Sequence, residues 1–130
     1  MSLTPAPELT IQLASDLHLE FIRDPNFNYE CILKPSAQVL ILAGDIASPL
    51  DASLERFLSW CAPRWERIYF VHGNHELYNL HRHINEGNVG DVHSVVQKLS
   101  SICMQHPNVV YLNNAVDVYK GVCFIGSTLW

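Results

Sequence analysis

Positive charge is scarce in this chain. Its 130 residues carry 8 Lys and Arg against 13 Asp and Glu, a formal net charge of −5. An acidic chain repels polyphosphate backbones and anionic lipid surfaces. Non-specific binding to nucleic acid or to a membrane surface is therefore not expected, and a nucleic-acid substrate would have to be held through metal ions. Long apolar runs are missing too: none approaches the ~20 residues that cross a bilayer. No secretory signal pattern opens the chain. The four cysteines, Cys31, Cys61, Cys103 and Cys123, are widely spaced and form no C-x-x-C pair, which disfavours a disulfide scaffold. They read as small buried hydrophobes kept reduced, and a cytoplasmic location is the expectation.

What is present points to a packed domain. Apolar residues make up 48% of the chain, which suits a globular core rather than disorder. The length fits one domain spanning 1–130. Histidine is the unusual surplus, with seven in the chain, and it is the commonest metal ligand.

Periodicity places the elements. Ile11–Ala14, Val39–Ala43 and Ile68–Val71 are short apolar runs that read as strands. The second is apolar throughout, as in a central parallel strand covered on both faces. Between the second and third, Asp51 caps a helix in which Leu54, Phe57, Leu58 and Cys61 share one face. Pro63 ends it. This is a β-α-β unit whose strands should be parallel. Asp91 caps a second helix with a stripe of Val92, Val95, Val96, Leu99, Ile102 and Cys103, stopped by Pro107. Three short β segments follow, 109–112, 116–119 and 122–125. The spacers Asn113-Asn114 and Lys120-Gly121 both read as tight hairpin turns. The long stretch from Leu19 to Pro35 is either functional or partly structured. Its Phe21, Ile22, Phe27 and Tyr29 suggest packing onto the body.

The three strands end alike. The first runs into Ser15-Asp16-Leu17-His18, the second into Gly44-Asp45, and the third, after His72, into Gly73-Asn74-His75-Glu76. Glycine permits the sharp turn and close approach that such a site needs. The carboxyl ends of strands are where open α/β sheets bind ligands. Any one motif alone would be accounted for by a polar turn. Three in succession deliver carboxylate, imidazole and amide donors to one edge, and that donor set suits manganese, iron or zinc rather than a thiolate site. His81-Arg82-His83 lies in a segment without apolar periodicity. It reads as an exposed loop pair, with a lid or substrate contact as the alternative.

The order D-x-H, then G-D, then G-N-H-E resembles the signature of the calcineurin-like metallophosphoesterases. Phe124–Trp130 is similar to a stretch common in one branch of that family. The resemblance implies an α/β fold, a β-sandwich flanked by helices, of which this chain would hold the N-terminal βαβ half. It implies hydrolysis of phosphate mono- or diesters at a dinuclear centre of divalent metal ions, manganese, iron or zinc. By the same resemblance, Asp16 and His18 would hold the first metal, Asp45 would bridge, and Asn74 would bind the second. His75 would meet the phosphate as general acid or transition-state stabiliser, and Glu76 would orient His75 or its neighbours. Phosphate esters resist hydrolysis because the anionic centre repels nucleophiles and the leaving oxygen must carry charge. Two cations about 3.5–4 Å apart address both problems.

The family completes its site with a Gly-His and a Gly-His-x-His from the second half of the chain. Neither motif occurs here. His72, His81, His83, His93 and His106 match neither. The expectation is a truncated phosphoesterase domain, active only with its missing half or a completing chain. A non-catalytic scaffold on the same fold, as in a retromer scaffold subunit, is the alternative, as is a single-metal binder without turnover. Apolar surface left bare by a missing half should drive self-association.

Overall fold

The computed structural model describes residues 8–78 and 91–129. The His81–His83 pair lies outside the described residues.

Four strands form one parallel sheet in the order β1-β2-β3-β4. They are β1 (Ile11–Ala14), β2 (Val39–Ala43), β3 (Arg67–Val71) and β4 (Val109–Tyr111). The register pairs Leu40 with Ile68 and Leu42 with Phe70. Side chains alternate across a strand, so these four share one face. Against that face pack α1 (Ser53–Cys61), through Leu54, Phe57, Leu58 and Cys61, and α2 (Val92–Cys103), through Val95, Leu99, Ile102 and Cys103. The second helix is capped by Asp91 as expected, whereas the first has Ala52 at its cap without a side-chain bond, and Asp51 makes its bond from one residue earlier. Asp51 Oδ1 accepts from Ser53 N at 2.7 Å, and Asp91 Oδ1 accepts from Ser94 N at 2.8 Å. The α2 stripe is narrower than its apolar pattern, because Val92 in the first turn stays exposed.

The opposite face carries Val39 and Tyr69, covered by Leu112 and Phe124. Phe124 comes from an antiparallel hairpin of β5 (Ala115–Tyr119) and β6 (Val122–Gly126). Its ring stacks on Tyr69 with centroids 4.2 Å apart. Asp117 Oδ2 accepts from Tyr69 Oη at 2.6 Å and from Arg67 Nη2 at 2.8 Å, which ties the hairpin to β3. The Lys120-Gly121 turn is as expected, with φ of 48° and 78° at its two residues, the left-handed pair that matches hairpin twist. Asn113-Asn114 is a correction. It is not a hairpin turn, since β4 pairs in parallel with β3 while β5 pairs with β6. The chain leaves the first sheet there and enters the second, with Leu112 buried between them. Turn residues signal a reversal without saying which strands pair across it.

Two further expectations change. Cys61 and Cys103 are buried, but Cys31 and Cys123 are exposed, and all four are free. Cys123 pairs across the hairpin with exposed Val118, so both lie on its outer face. The Leu19–Pro35 stretch forms two single 3₁₀ turns, Leu19–Phe21 and Tyr29–Cys31. Leu19, Leu33, Ile22 and Tyr29 join the core cluster, whereas Phe21 remains 72% exposed. Among the described residues no helix is long and apolar enough to cross a membrane. A parallel sheet with helices on one face and a second small sheet on the other is compatible with the expected mixed α/β phosphoesterase architecture.

Candidate metal centre

The loops after β1 and β2 run together past the sheet. Asp16 N donates to Gly44 O at 3.0 Å, His18 N to Asp45 O at 3.0 Å, and Leu19 N to Ile46 O at 2.9 Å. Three residues here take left-handed backbone: Asp16 (φ 55°), His18 (φ 48°) and Asp45 (φ 54°). Such conformations cost of order 1–3 kcal/mol each in a side-chain-bearing residue and gather at functional sites. Among the described residues, the other two non-glycine cases, Asn114 and Lys120, are at reversals around the hairpin. Gly44 is also left-handed (φ 87°), and a Cβ there would lie 2.9 Å from the Gly73 backbone. A Cβ on Gly73 would lie 2.2 Å from Asp45 Oδ1. Glycine at both positions lets the second and third strand ends touch.

Glu76 locks that contact. Its carboxylate is only 1% exposed. Oε2 accepts from Gly73 N at 2.8 Å and Asp45 N at 3.0 Å, while Oε1 accepts from Ile46 N at 2.7 Å. Burial pushes its carboxyl above the ordinary range, and the backbone N–H groups pull against that shift. Of the two expected roles, orienting His75 or its neighbours, these bonds are to the neighbours, Gly73 and the Asp45 loop. The carboxylate nearest His75 Nδ1 is instead Glu20, at 3.5 Å.

Asp16, His18 and Asp45 each offer a donor atom, all within 4.8 Å of one another. Beside them, His75 N donates to Asp45 Oδ1 at 2.9 Å, which fixes the third loop against the second. The Asn74 amide Nδ2 donates to Asp45 Oδ2 at 3.1 Å and Oδ1 at 3.2 Å, and its oxygen accepts from the Tyr78 hydroxyl. His18 and His75 meet edge to face with ring centroids 4.4 Å apart. All five strand-end residues, Asp16 with His18, Asp45, and Asn74 with His75, thus come to one place.

The residues fit a divalent cation. Among the described residues no Lys or Arg pairs with Asp16, Glu20 or Asp45, and among them the buried Glu20 Oε2 has no hydrogen-bond partner. Carboxylate, imidazole and amide donors suit hard to borderline ions.

Sequence reasoning overlooked three residues. Glu20 extends Asp16-x-His18 by the same two-residue step, a signal that was available. Tyr78 lies four residues after Asn74 and is half-exposed, its ring centroid 4.5 Å from His75. His72 is buried, with Nδ1 2.6 Å from the Tyr111 hydroxyl, and burial holds its pKa below the ordinary value. Its carbonyl accepts from Thr128 Oγ1 at 2.5 Å. It is a tie behind the site, and no sequence pattern marks such a role.

Comparison with known proteins agrees with this geometry. An uncharacterized protein, L509, of Acanthamoeba polyphaga mimivirus is 33% identical over 136 residues. The match covers 92% of this chain and 44% of L509, so the chain spans under half the length of that curated relative. The calcineurin-like phosphoesterase family profile matches residues 9–127. With its strand-end donors in the expected order and in contact, the chain belongs to the calcineurin-like phosphoesterase family.

Proposed function

We propose that this chain carries a metal centre for the hydrolysis of phosphate mono- or diesters. The observation that supports it most is the convergence of Asp16, His18 and Asp45 within 4.8 Å, delivered by two adjacent strand ends. Asp16 and His18 would hold the first metal, Asp45 would be shared by both, and Asn74 would hold the second through its amide oxygen. Manganese, iron or zinc is the class of ion. Two such ions supply Lewis acidity and charge neutralisation at the phosphoryl group.

The protein's own part is positioning. Left-handed turns at Asp16, His18 and Asp45 aim their side chains past the sheet edge. The Glu76 clamp holds the second and third loops at fixed separation. His75 has a third of its side chain exposed, so its ring can touch a bound phosphoryl oxygen and pass a proton to the leaving oxygen.

Metal content tests the reading. The purified protein, dialysed against manganese and analysed for bound metal, should hold two ions per chain when its centre is complete, and should then hydrolyse aryl phosphates. No bound metal under any of these ions would overturn it. The activity and substrates of the whole protein are part of this proposal.

A second reading concerns partners. The outer face of the hairpin exposes Val116, Val118 and Ile125, and β1 exposes Leu13 at 68%. Apolar surface of this kind favours self-association. Light scattering should show species larger than one chain, and a monodisperse monomer at micromolar concentration would remove this reading.

A further inference from the structure

We propose that Glu20 is itself a metal ligand, and that His18, Glu20 and His75 form a donor set for a borderline divalent cation such as zinc. The proposal rests on the metal-centre reading above but uses a different set of side chains. Its geometry comes first. Glu20 Oε1 lies 3.4 Å from His18 Nδ1 and 3.5 Å from His75 Nδ1. Both distances are long for N–H···O hydrogen bonds, which centre near 2.9–3.0 Å. They match the edges of a coordination tetrahedron. With zinc–ligand distances of about 2.0–2.1 Å, neighbouring donors stand about 3.4 Å apart. The three donor atoms all lie within 4.8 Å of one another.

A second observation points the same way. Among the described residues Glu20 Oε2 is buried with no hydrogen-bond partner. A buried carboxylate oxygen left unsatisfied costs free energy that a native site seldom leaves unrecovered. The two imidazoles face the other oxygen, Oε1, and a cation held by both carboxylate oxygens would satisfy Oε2 as well. Two histidines and one glutamate also form an established ligand set for zinc with an open position. The 3₁₀ turn Leu19–Phe21 supplies the placement. Leu19 is buried in the core, which anchors the turn and directs Glu20 back towards His18 and His75.

The set shares His18 with Asp16 and Asp45, and it takes up His75. A cation seated on it occupies the His75 lone pair, so that occupancy and a phosphoryl contact by His75 exclude each other.

The test uses zinc itself and cobalt as its coloured substitute, titrated into the metal-free protein. Tetrahedral cobalt gives intense visible bands that report the donor set without any assay of turnover. Cobalt bound to the unaltered protein should show these bands, and zinc should abolish them by displacing it. Glu20→Gln keeps the shape of the side chain and removes its charge. It should weaken zinc binding at this set by about 100-fold or more, since partners outside the ligand sphere already account for 10–100-fold. His75→Gln should do the same, and Asp45→Asn should keep the bands. Zinc affinity in Glu20→Gln or His75→Gln within about threefold of the unaltered protein would overturn the proposal. Should Asp45→Asn retain full metal-dependent hydrolysis, the phosphoesterase roles fail while the Glu20 result stands by itself.

Discussion

Asp45→Asn is expected to lower metal-dependent phosphoester hydrolysis by about 10³-fold or more. Charge stabilisation by metal ions is worth several kcal/mol at the transition state, and each 1.36 kcal/mol is a factor of ten. In the proposed centre Asp45 is the shared anionic ligand, so its removal would forfeit that stabilisation. The substitution is also conservative in shape. Asp45 Oδ1 accepts from His75 N at 2.9 Å, and the amide oxygen of Asn can accept the same bond. Folding stability should therefore stay within about 1 kcal/mol of the unaltered protein. The informative result is this split between lost turnover and retained stability, read from aryl phosphate hydrolysis under manganese together with urea unfolding. Unchanged turnover would remove Asp45 from the bridging role. Lost turnover with a collapsed unfolding midpoint would mark Asp45 as structural.

Glu76→Ala should show the converse pattern in its primary effect. Three backbone N–H groups, from Asp45, Ile46 and Gly73, end on this one buried carboxylate. Each donor left unsatisfied in the interior costs roughly 1–3 kcal/mol. Water entering the vacated space recovers part of this, so a net loss of about 3–5 kcal/mol is expected. A domain of this size has only about 5–15 kcal/mol in total, and the variant should sit near the edge of unfolding. Equilibrium urea unfolding measures it directly. A loss below about 1 kcal/mol would show that the two loops are held together without Glu76. Its pairing would then be incidental.

The element pattern was legible in the residues because burial writes a period into a chain. The apolar runs of β2 and β3, and the stripes Leu54-Phe57-Leu58-Cys61 and Val95-Leu99-Ile102-Cys103, predict the strands and helices that are found. Asp91 announces its helix because a short side-chain acceptor satisfies a free N–H locally, and Asp51, which bonds Ser53 N from one residue before the cap, marks the first helix start to within a residue. The donors Asp16, His18, Asp45, Asn74 and His75 were legible for another reason: each follows a strand, and adjacent parallel strands bring their ends to one edge.

Pairing between distant segments was not legible. Asn113-Asn114 has the composition of a hairpin turn, yet β4 joins the first sheet and β5 the second. That choice is made by Leu112 and Phe124 filling the space over Tyr69, a fact about volumes in three dimensions. The three N–H groups that Glu76 gathers come from positions up to 31 residues away, and no local pattern encodes them. The same holds for Glu20. Its spacing from His18 was visible in the chain, but its approach to His75 depends on the Leu19 anchor. Residue types and their periods set which groups could serve a metal centre. The packing of loop against loop set which of them meet, because that outcome depends on contacts between segments that share no stretch of sequence.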